Sequence, residues 1–186
     1  MKILAIETSC DDTSSSVVEN GNKVLSNIIS SQISVHAKYN GVVPELASRE
    51  HIKNVNIVVE QALQQAKISF ENFDKEIDYI TCTYGPGLAG SLLVGVMTAK
   101  TLSYIYKKPL IPVNHIEGHI FSAAIENKNL KTPFLAVVIS GGHTELVIIK
   151  DYGKYKFLGG TRDDACGEAF DKAAQIIALC AILFEG

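Results

Sequence analysis

The chain has 186 residues, more than one typical domain and fewer than two full ones. Hydrophobic residues make up 47% and charged residues 20%, the balance of a globular protein with a buried core. A formal net charge of −3 argues against a generally basic nucleic-acid binder and leaves room only for a local basic patch.

The predicted elements begin with three strands. Lys2–Glu7 is short and apolar, Thr13–Val18 follows a polar turn, and Lys23–Ser30 follows Asn20-Gly21-Asn22, a strong hairpin signal. A long helix starts at Pro44, whose missing N–H suits a first helical turn. Along it Ile52, Val55, Val59, Ala62 and Ala66 recur at helical steps and predict one buried stripe. Arg49, His51 and Lys53 read as a basic cluster of solvated surface, with Lys107 and Lys108 elsewhere. Strands and helices then alternate. Ile77–Thr83 is a strand, Gly85-Pro86-Gly87 a tight turn, Gly90–Tyr106 a helix of small residues, and Leu110–Asn114 a strand leading into a histidine-bearing helix. Phe134–Ser140 and Glu145–Lys150 form a hairpin, Tyr155–Leu158 adds a strand, and a helix runs from about Asp164 to Leu179. This order predicts a first lobe over residues 1–130 and the start of a related second lobe over 131–186.

Cys10, Cys82, Cys166 and Cys180 are scattered without a C-x-x-C pair or a secretory leader, as expected of reduced thiols in the cytoplasm. No apolar run approaches the length needed to span a bilayer, so no membrane partner is expected.

Four segments carry candidate chemistry. His115 and His119 are four residues apart, so on a helix their imidazoles share one face and can grip a single metal ion. Glu117 sits two after His115 on another face, so the H-E-x-x-H arrangement of a zinc peptidase is not supplied. The turn Ser140-Gly141-Gly142-His143-Thr144 offers backbone N–H groups of the kind that hold phosphate. The earlier turn Glu7-Thr8-Ser9-Cys10-Asp11-Asp12-Thr13 packs carboxylates and hydroxyls at a strand end; ordinary turn chemistry would also use them. Two such hairpins facing each other across lobes would clamp one nucleotide. Gly85-Pro86-Gly87-Leu88-Ala89-Gly90-Ser91 lacks both the Lys-Ser/Thr ending of a P-loop and the G-x-G-x-x-G spacing, so packing through Gly90, Gly95 and Ala99 is its safer reading. Asp163 and Asp164 suit a helix N-terminus, and Asp171 could accept from ribose hydroxyls or pair with Lys172 or Arg162.

Taken together, the blocks IETSCDDTS, GVVPELASREH, GPGLAGSLLVGVMTAK, NHIEGH, SGGHTEL and TRDDACGEAFDKAA resemble the tRNA N6-adenosine threonylcarbamoyltransferase family, once labelled O-sialoglycoprotein endopeptidases. They run in order over residues 3 to about 175. The resemblance implies an α/β fold of the two-lobed actin, Hsp70 and sugar-kinase type (ribonuclease H-like), first lobe complete and second only begun. It implies an acyltransferase that moves threonylcarbamoyl from threonylcarbamoyl-adenylate to the N6 amine of the adenosine beside the anticodon, in tRNAs reading codons that begin with A. That base lies in a single-stranded loop where its amine can be reached. By the same resemblance His115 and His119 bind a divalent metal, usually Fe(2+), with Zn(2+) an alternative that two imidazoles do not distinguish. Val138, Ile139, Ser140, Gly141, Gly142 and Asp171 match adenylate-binding positions, and Asp11 and Asp12 match acidic residues near the reacting centre. The implied partners are the tRNA anticodon loop, an inactive paralogous subunit and a small P-loop ATPase, with a second copy of the chain a further candidate.

Gly160 stands where members usually have Glu, and Cys166 where they have Ala. After Ile177 the tyrosine-proline-glycine-glycine stretch of the family is replaced by Ala178 to Gly186, which implies a frameshift or early stop and the loss of a third, aspartate metal ligand. A relic or partner-binding scaffold of the same family is therefore a second reading. An ATP-dependent sugar or acetate kinase on the same fold is a third, disfavoured by the histidine pair and the SGGHTE turn.

Overall fold

The computed structural model describes residues 1–39, 41–127 and 129–176. Contacts divide the chain into two compact units, Met1–Gly118 and His119–Gly186.

The first unit is a mixed five-stranded sheet with helices packed on it. Strands β1 (Lys2–Glu7), β2 (Thr13–Glu19) and β3 (Lys23–Ser30) form an antiparallel meander. The β2–β3 turn takes positive φ at both Asn20 (53°) and Gly21 (80°), the primed geometry that an Asn-Gly pair adopts at little cost. Beyond the short helix α1 (Ile33–His36) lies α2 (Pro44–Gln65) with Pro44 in its first turn. The short helix α3 (Phe73–Glu76) precedes β4 (Tyr79–Gly85), α4 (Ala89–Tyr106) and β5 (Leu110–Asn114). Strand β4 starts later than the apolar run suggests, because the Ile77 N–H closes α3 by donating to the Phe73 carbonyl at 2.9 Å. The sheet order is β3-β2-β1-β4-β5, with β4 parallel to both β1 and β5.

Leu4 and Ile6 of β1 alternate into one core with Val55, Val59 and Leu63 of α2, completed by Phe73, Ile77, Ile80 and Ala99. Phe73 stacks on Tyr106 with ring centroids 4.2 Å apart, joining α3 to the end of α4. Two expectations for α2 are corrected. Ile52 is 63% exposed, because the buried stripe runs through Ala47, His51, Val55, Val58 and Ala62 and leaves Ile52 about 100° round the helix from His51. His51, expected in a solvated basic cluster, is fully buried. Arg49 and Lys53 do stay on the surface, paired with Glu45 and Glu50.

The second unit begins within α5 (His115–Glu126), continues as the antiparallel meander β6 (Phe134–Ile139), β7 (Thr144–Asp151) and β8 (Lys154–Gly160), and ends in α6 (Cys166–Ile176). Ala136 and Val147 pair across β6 and β7 on the buried face, while Val137 and Leu146 pair on the exposed one. Phe121 of α5 stacks on Tyr152 at 5.4 Å and meets Phe134 edge-on at 6.5 Å. Helix α6 starts at Cys166 rather than Asp164, and its expected end at Leu179 lies outside the described residues, as does the departure from the family pattern over 178–186. Among the described residues no helix is long and apolar enough to cross a membrane.

Candidate functional site

Because β1, β4 and β5 run parallel, Glu7, Gly85 and Asn114 end on one edge of the sheet, the edge where ligands bind in open α/β sheets. Three local devices hold that edge. Asn114 caps α5, its Oδ1 accepting from the N–H groups of Ile116 (2.9 Å) and Glu117 (3.3 Å). Gly87, at φ 158°, brings the β4–α4 turn so close to β1 that an added Cβ would lie 2.6 Å from the Ser9 carbonyl oxygen. That oxygen accepts the Leu88 N–H at 2.7 Å. Gly95 of α4 lets Thr8 pack directly on the helix, where Thr8 Oγ1 donates to the Ser91 carbonyl (2.8 Å) and accepts the Gly95 N–H (3.2 Å). The glycine-rich segment is thus a packing device here, as its sequence suggested.

Glu7 is the hub of this edge. Its Oε1 accepts the Ser9 N–H, and its Oε2 accepts the Thr83 hydroxyl and lies 3.3 Å from His115 Nδ1. Ser9 Oγ also lies 3.1 Å from that nitrogen. Burial alone would push the Glu7 carboxyl up, but hydrogen bonds from His115, Ser9 and Thr83 outweigh it and hold the group down to about 2.

The acidic turn beyond β1 is built differently. Asp11 and Asp12 each keep one buried carboxylate oxygen, Asp11 Oδ2 and Asp12 Oδ1, with no hydrogen-bond partner. Burial pushes the Asp12 carboxyl up and the neighbouring Asp11 charge adds to it, against hydrogen bonding to Ser31 and the Gln32 backbone. Beneath the turn, His51 Nε2–H donates to the Cys10 carbonyl (3.0 Å) while its Nδ1 accepts the Thr13 hydroxyl (2.8 Å). Burial lowers the His51 pKa and favours this neutral form. The network continues through Gln32 to His36, whose Nε2 lies 3.0 Å from Gln32 Oε1.

In the second unit, His119, Val138 and Ile139 line one groove of about 340 Å³ between α5 and β6, together with Ile120, Ala123 and Val137. The Ser140–His143 turn is closed by Ser140 N–H to the His143 carbonyl (2.8 Å) and His143 N–H to Ser140 Oγ (3.1 Å). Those bonds leave Gly141 and Gly142 at the apex with open space where a side chain would stand. The turn is seated on α6. The Gly167 N–H donates to the Ser140 carbonyl at 3.3 Å, and the Cys166 N–H to Thr144 Oγ1 at 2.8 Å. Asp171 is half-buried on α6, and Lys172 pairs with Asp164 and Glu168 rather than with it.

Within the second unit the structure gathers His119 with Val138 and Ile139; within the first it gives Asp11 and its neighbour Asp12 one unpartnered buried oxygen each. Sequence reasoning gave Glu7, Thr83 and His51 no individual role at this site, yet they organise the strand-end edge and acidic turn of the first unit. Among the described residues no group of three or more His, Cys, Asp or Glu side chains could hold a metal ion. The donor chemistry still fits a divalent ion as part of a ligand set. His115 has its Nδ1 side on a carboxylate, as metal-ligating imidazoles commonly do, and His119 follows one turn along α5.

The family model TsaD, described as tRNA N6-adenosine threonylcarbamoyltransferase, matches residues 23–181. A tRNA N6-adenosine threonylcarbamoyltransferase of Endomicrobium trichonymphae is 62% identical over 179 residues, covering 96% of this chain and 52% of the relative. That of Clostridioides difficile is 58% identical over 176 residues, covering 95% of this chain and 51% of the relative. The chain thus spans about half the length of these curated relatives. Among solved structures, YeaZ from Pseudomonas aeruginosa matches with TM-score 0.53 at 16% identity, covering 86% of this chain and 66% of that one. Component A of the Acidaminococcus fermentans (R)-2-hydroxyglutaryl-CoA dehydratase matches with TM-score 0.52 at 11% identity, covering 97% and 56%. Those two likenesses concern the fold alone.

Proposed function

The chain belongs to the tRNA N6-adenosine threonylcarbamoyltransferase family, and on that premise we propose that it transfers threonylcarbamoyl from threonylcarbamoyl-adenylate to the N6 amine of the anticodon-adjacent adenosine in tRNA. The observation that carries the reading is the pair of buried carboxylate oxygens without partners, Asp11 Oδ2 and Asp12 Oδ1, just past the carboxyl end of β1. Unpaired buried acceptors cost stability, and active sites are where such costs are kept.

In this reading the N6 amine attacks the carbamoyl carbon, a C–N bond forms, and the bond from that carbon to the phosphate oxygen breaks, releasing AMP. Asp11 accepts the proton the amine sheds and, with Asp12, positions the amine. The N–H groups of Gly141 and Gly142 bind the adenylate phosphate, Val138 and Ile139 pack the nucleoside, Ser140 holds the turn in shape, and Asp171 accepts from the ribose hydroxyls. His115 and His119 would hold a divalent ion, Fe(2+) by family resemblance, which supplies polarisation of carbamoyl and phosphate oxygens when bound.

The family resemblance extends the reading to a two-lobed actin-like molecule with lobes over 1–130 and 131–186, acting in the cytoplasm where its tRNA is. It also brings an inactive paralogous subunit and a small P-loop ATPase as partners. Leu93, Met97 and Tyr104 fall on one exposed apolar face of α4, which supports a docking role for this unit.

The test is a reconstituted mixture of this chain, the paralogue, the ATPase, threonylcarbamoyl-adenylate and tRNA, with digested tRNA analysed by mass spectrometry. Threonylcarbamoyl-adenosine that depends on the chain is the expected product. A folded chain that yields none contradicts the reading, and phosphorylation of a sugar by ATP would replace it with a kinase.

A further inference from the structure

We propose that Glu7 is the positioning residue for His115. Its carboxylate takes the imidazole's Nδ1–H and so fixes the tautomer whose Nε2 lone pair serves as metal ligand. The inference rests on the proposed role of His115 as a ligand and adds a residue to it.

An ionised carboxylate only accepts, so each group facing it must donate. At Oε1 the donor is the Ser9 N–H, and at Oε2 one donor is the Thr83 hydroxyl. The second neighbour of Oε2 is His115 Nδ1 at 3.3 Å, and a lone pair there would face a negative charge. The proton therefore sits on Nδ1, shared with Ser9 Oγ at 3.1 Å, and when the ring is neutral its lone pair is on Nε2. Both Glu7 oxygens thereby face protein donors. Glu7 orients a ligand rather than acting as one, unlike Asp11 and Asp12 with their unpartnered oxygens. Thr83 lies one position past Cys82, the β4 partner of Ile6, so the pairing of β1 with β4 places its hydroxyl beside Glu7. Asn114, capping α5, sets the first turn on which His115 stands. The side-chain supports of the ring thus come from three separate strands, and such outer-shell partners typically change metal affinity about 10- to 100-fold when removed.

Glu7→Gln gives a directional test. The Ser9 N–H still needs an acceptor, so the amide oxygen turns to it and the amide NH2 turns to Thr83 and His115. Nδ1 then becomes an acceptor and the proton moves to Nε2, where it competes with a metal. Glu7→Asp keeps a carboxylate and the wild-type tautomer.

The experiment uses the whole chain, metal-free, with 15N-labelled histidine. NMR reads the His115 tautomer, and calorimetry then measures Co(2+) affinity. The expected result is Nδ1–H in wild type and Glu7→Asp, Nε2–H in Glu7→Gln, and Co(2+) affinity about 10- to 100-fold weaker in Glu7→Gln. An Nε2–H tautomer in wild type overturns the proposal even if the Gln variant does not fold. So does a Gln variant with wild-type tautomer and affinity. A chain whose tautomer switches as expected but which takes up no Co(2+) upholds the role of Glu7 and refutes the metal reading alone.

Discussion

Replacing Asp12 with Asn should make the chain more stable. In the folded chain the carboxylate is half-buried beside Asp11, one of its oxygens has no partner, and burial raises its pKa. A buried acceptor left unpaired costs about 1–3 kcal/mol. Asn keeps an oxygen for Ser31 and the Gln32 backbone but removes the charge, while its own NH2 recovers none of the missing bond. The net gain is therefore about 1 kcal/mol at neutral pH, or roughly 2–4 °C in Tm for a chain of this size. The pH dependence has a definite sign. A raised pKa means the folded chain holds the Asp12 proton more tightly than the unfolded one. Wild type thus loses stability relative to the variant as pH rises through the folded-state pKa, and the gap closes below the ordinary carboxylate range. Urea denaturation of both proteins at pH 7 and at pH 3.5 measures this. A variant less stable than wild type at pH 7, or a gap that widens in acid, would refute the reasoning.

The remaining predictions concern packing and acid stability. Gly95→Ala gains about 1 kcal/mol of helix propensity but drives its Cβ into Thr8 Oγ1, an overpacking cost of about 1–3 kcal/mol, so calorimetry should show a net loss that Thr8→Ala partly relieves. Val55→Ala should cost about 2 kcal/mol in chemical denaturation, whereas Ile52→Ala should stay within about 0.5 kcal/mol; equal losses would place Ile52 in the core after all. Because the Glu7 carboxyl is held down to about 2 from 4.5, its contribution is complete above pH 4.5 and disappears as pH falls towards 2. With a third of the side chain facing solvent, that contribution is on the order of 1–2 kcal/mol, and Glu7→Gln should flatten this limb of the stability profile.

Features set by local pattern were legible in the sequence. Alternation along β1, the Asn-Gly turn, Pro44 at the start of α2 and the small residues of α4 each follow from a rule spanning a few positions. His51 and Ile52 were assigned to the wrong sides of α2 because a polarity pattern counts every histidine as surface and every isoleucine as core. What reverses them is a carbonyl at Cys10 and a hydroxyl at Thr13, which make a buried imidazole affordable. Glu7 escaped notice for a related reason. It is merely the last residue of a short strand until the fold brings Thr83 and His115, 76 and 108 residues away, against its carboxylate. The Ser140–His143 turn was legible as a hairpin, but its seating on Gly167 depends on a close approach that no spacing predicts.

The most direct test of the proposed chemistry is the rate of threonylcarbamoyl-adenosine formation by Asp11→Asn in the reconstituted mixture, alongside its affinity for an adenylate analogue and for tRNA. The account predicts transfer slowed by about 100-fold or more with both affinities near wild type, as loss of a general base requires. Transfer at the wild-type rate would contradict it.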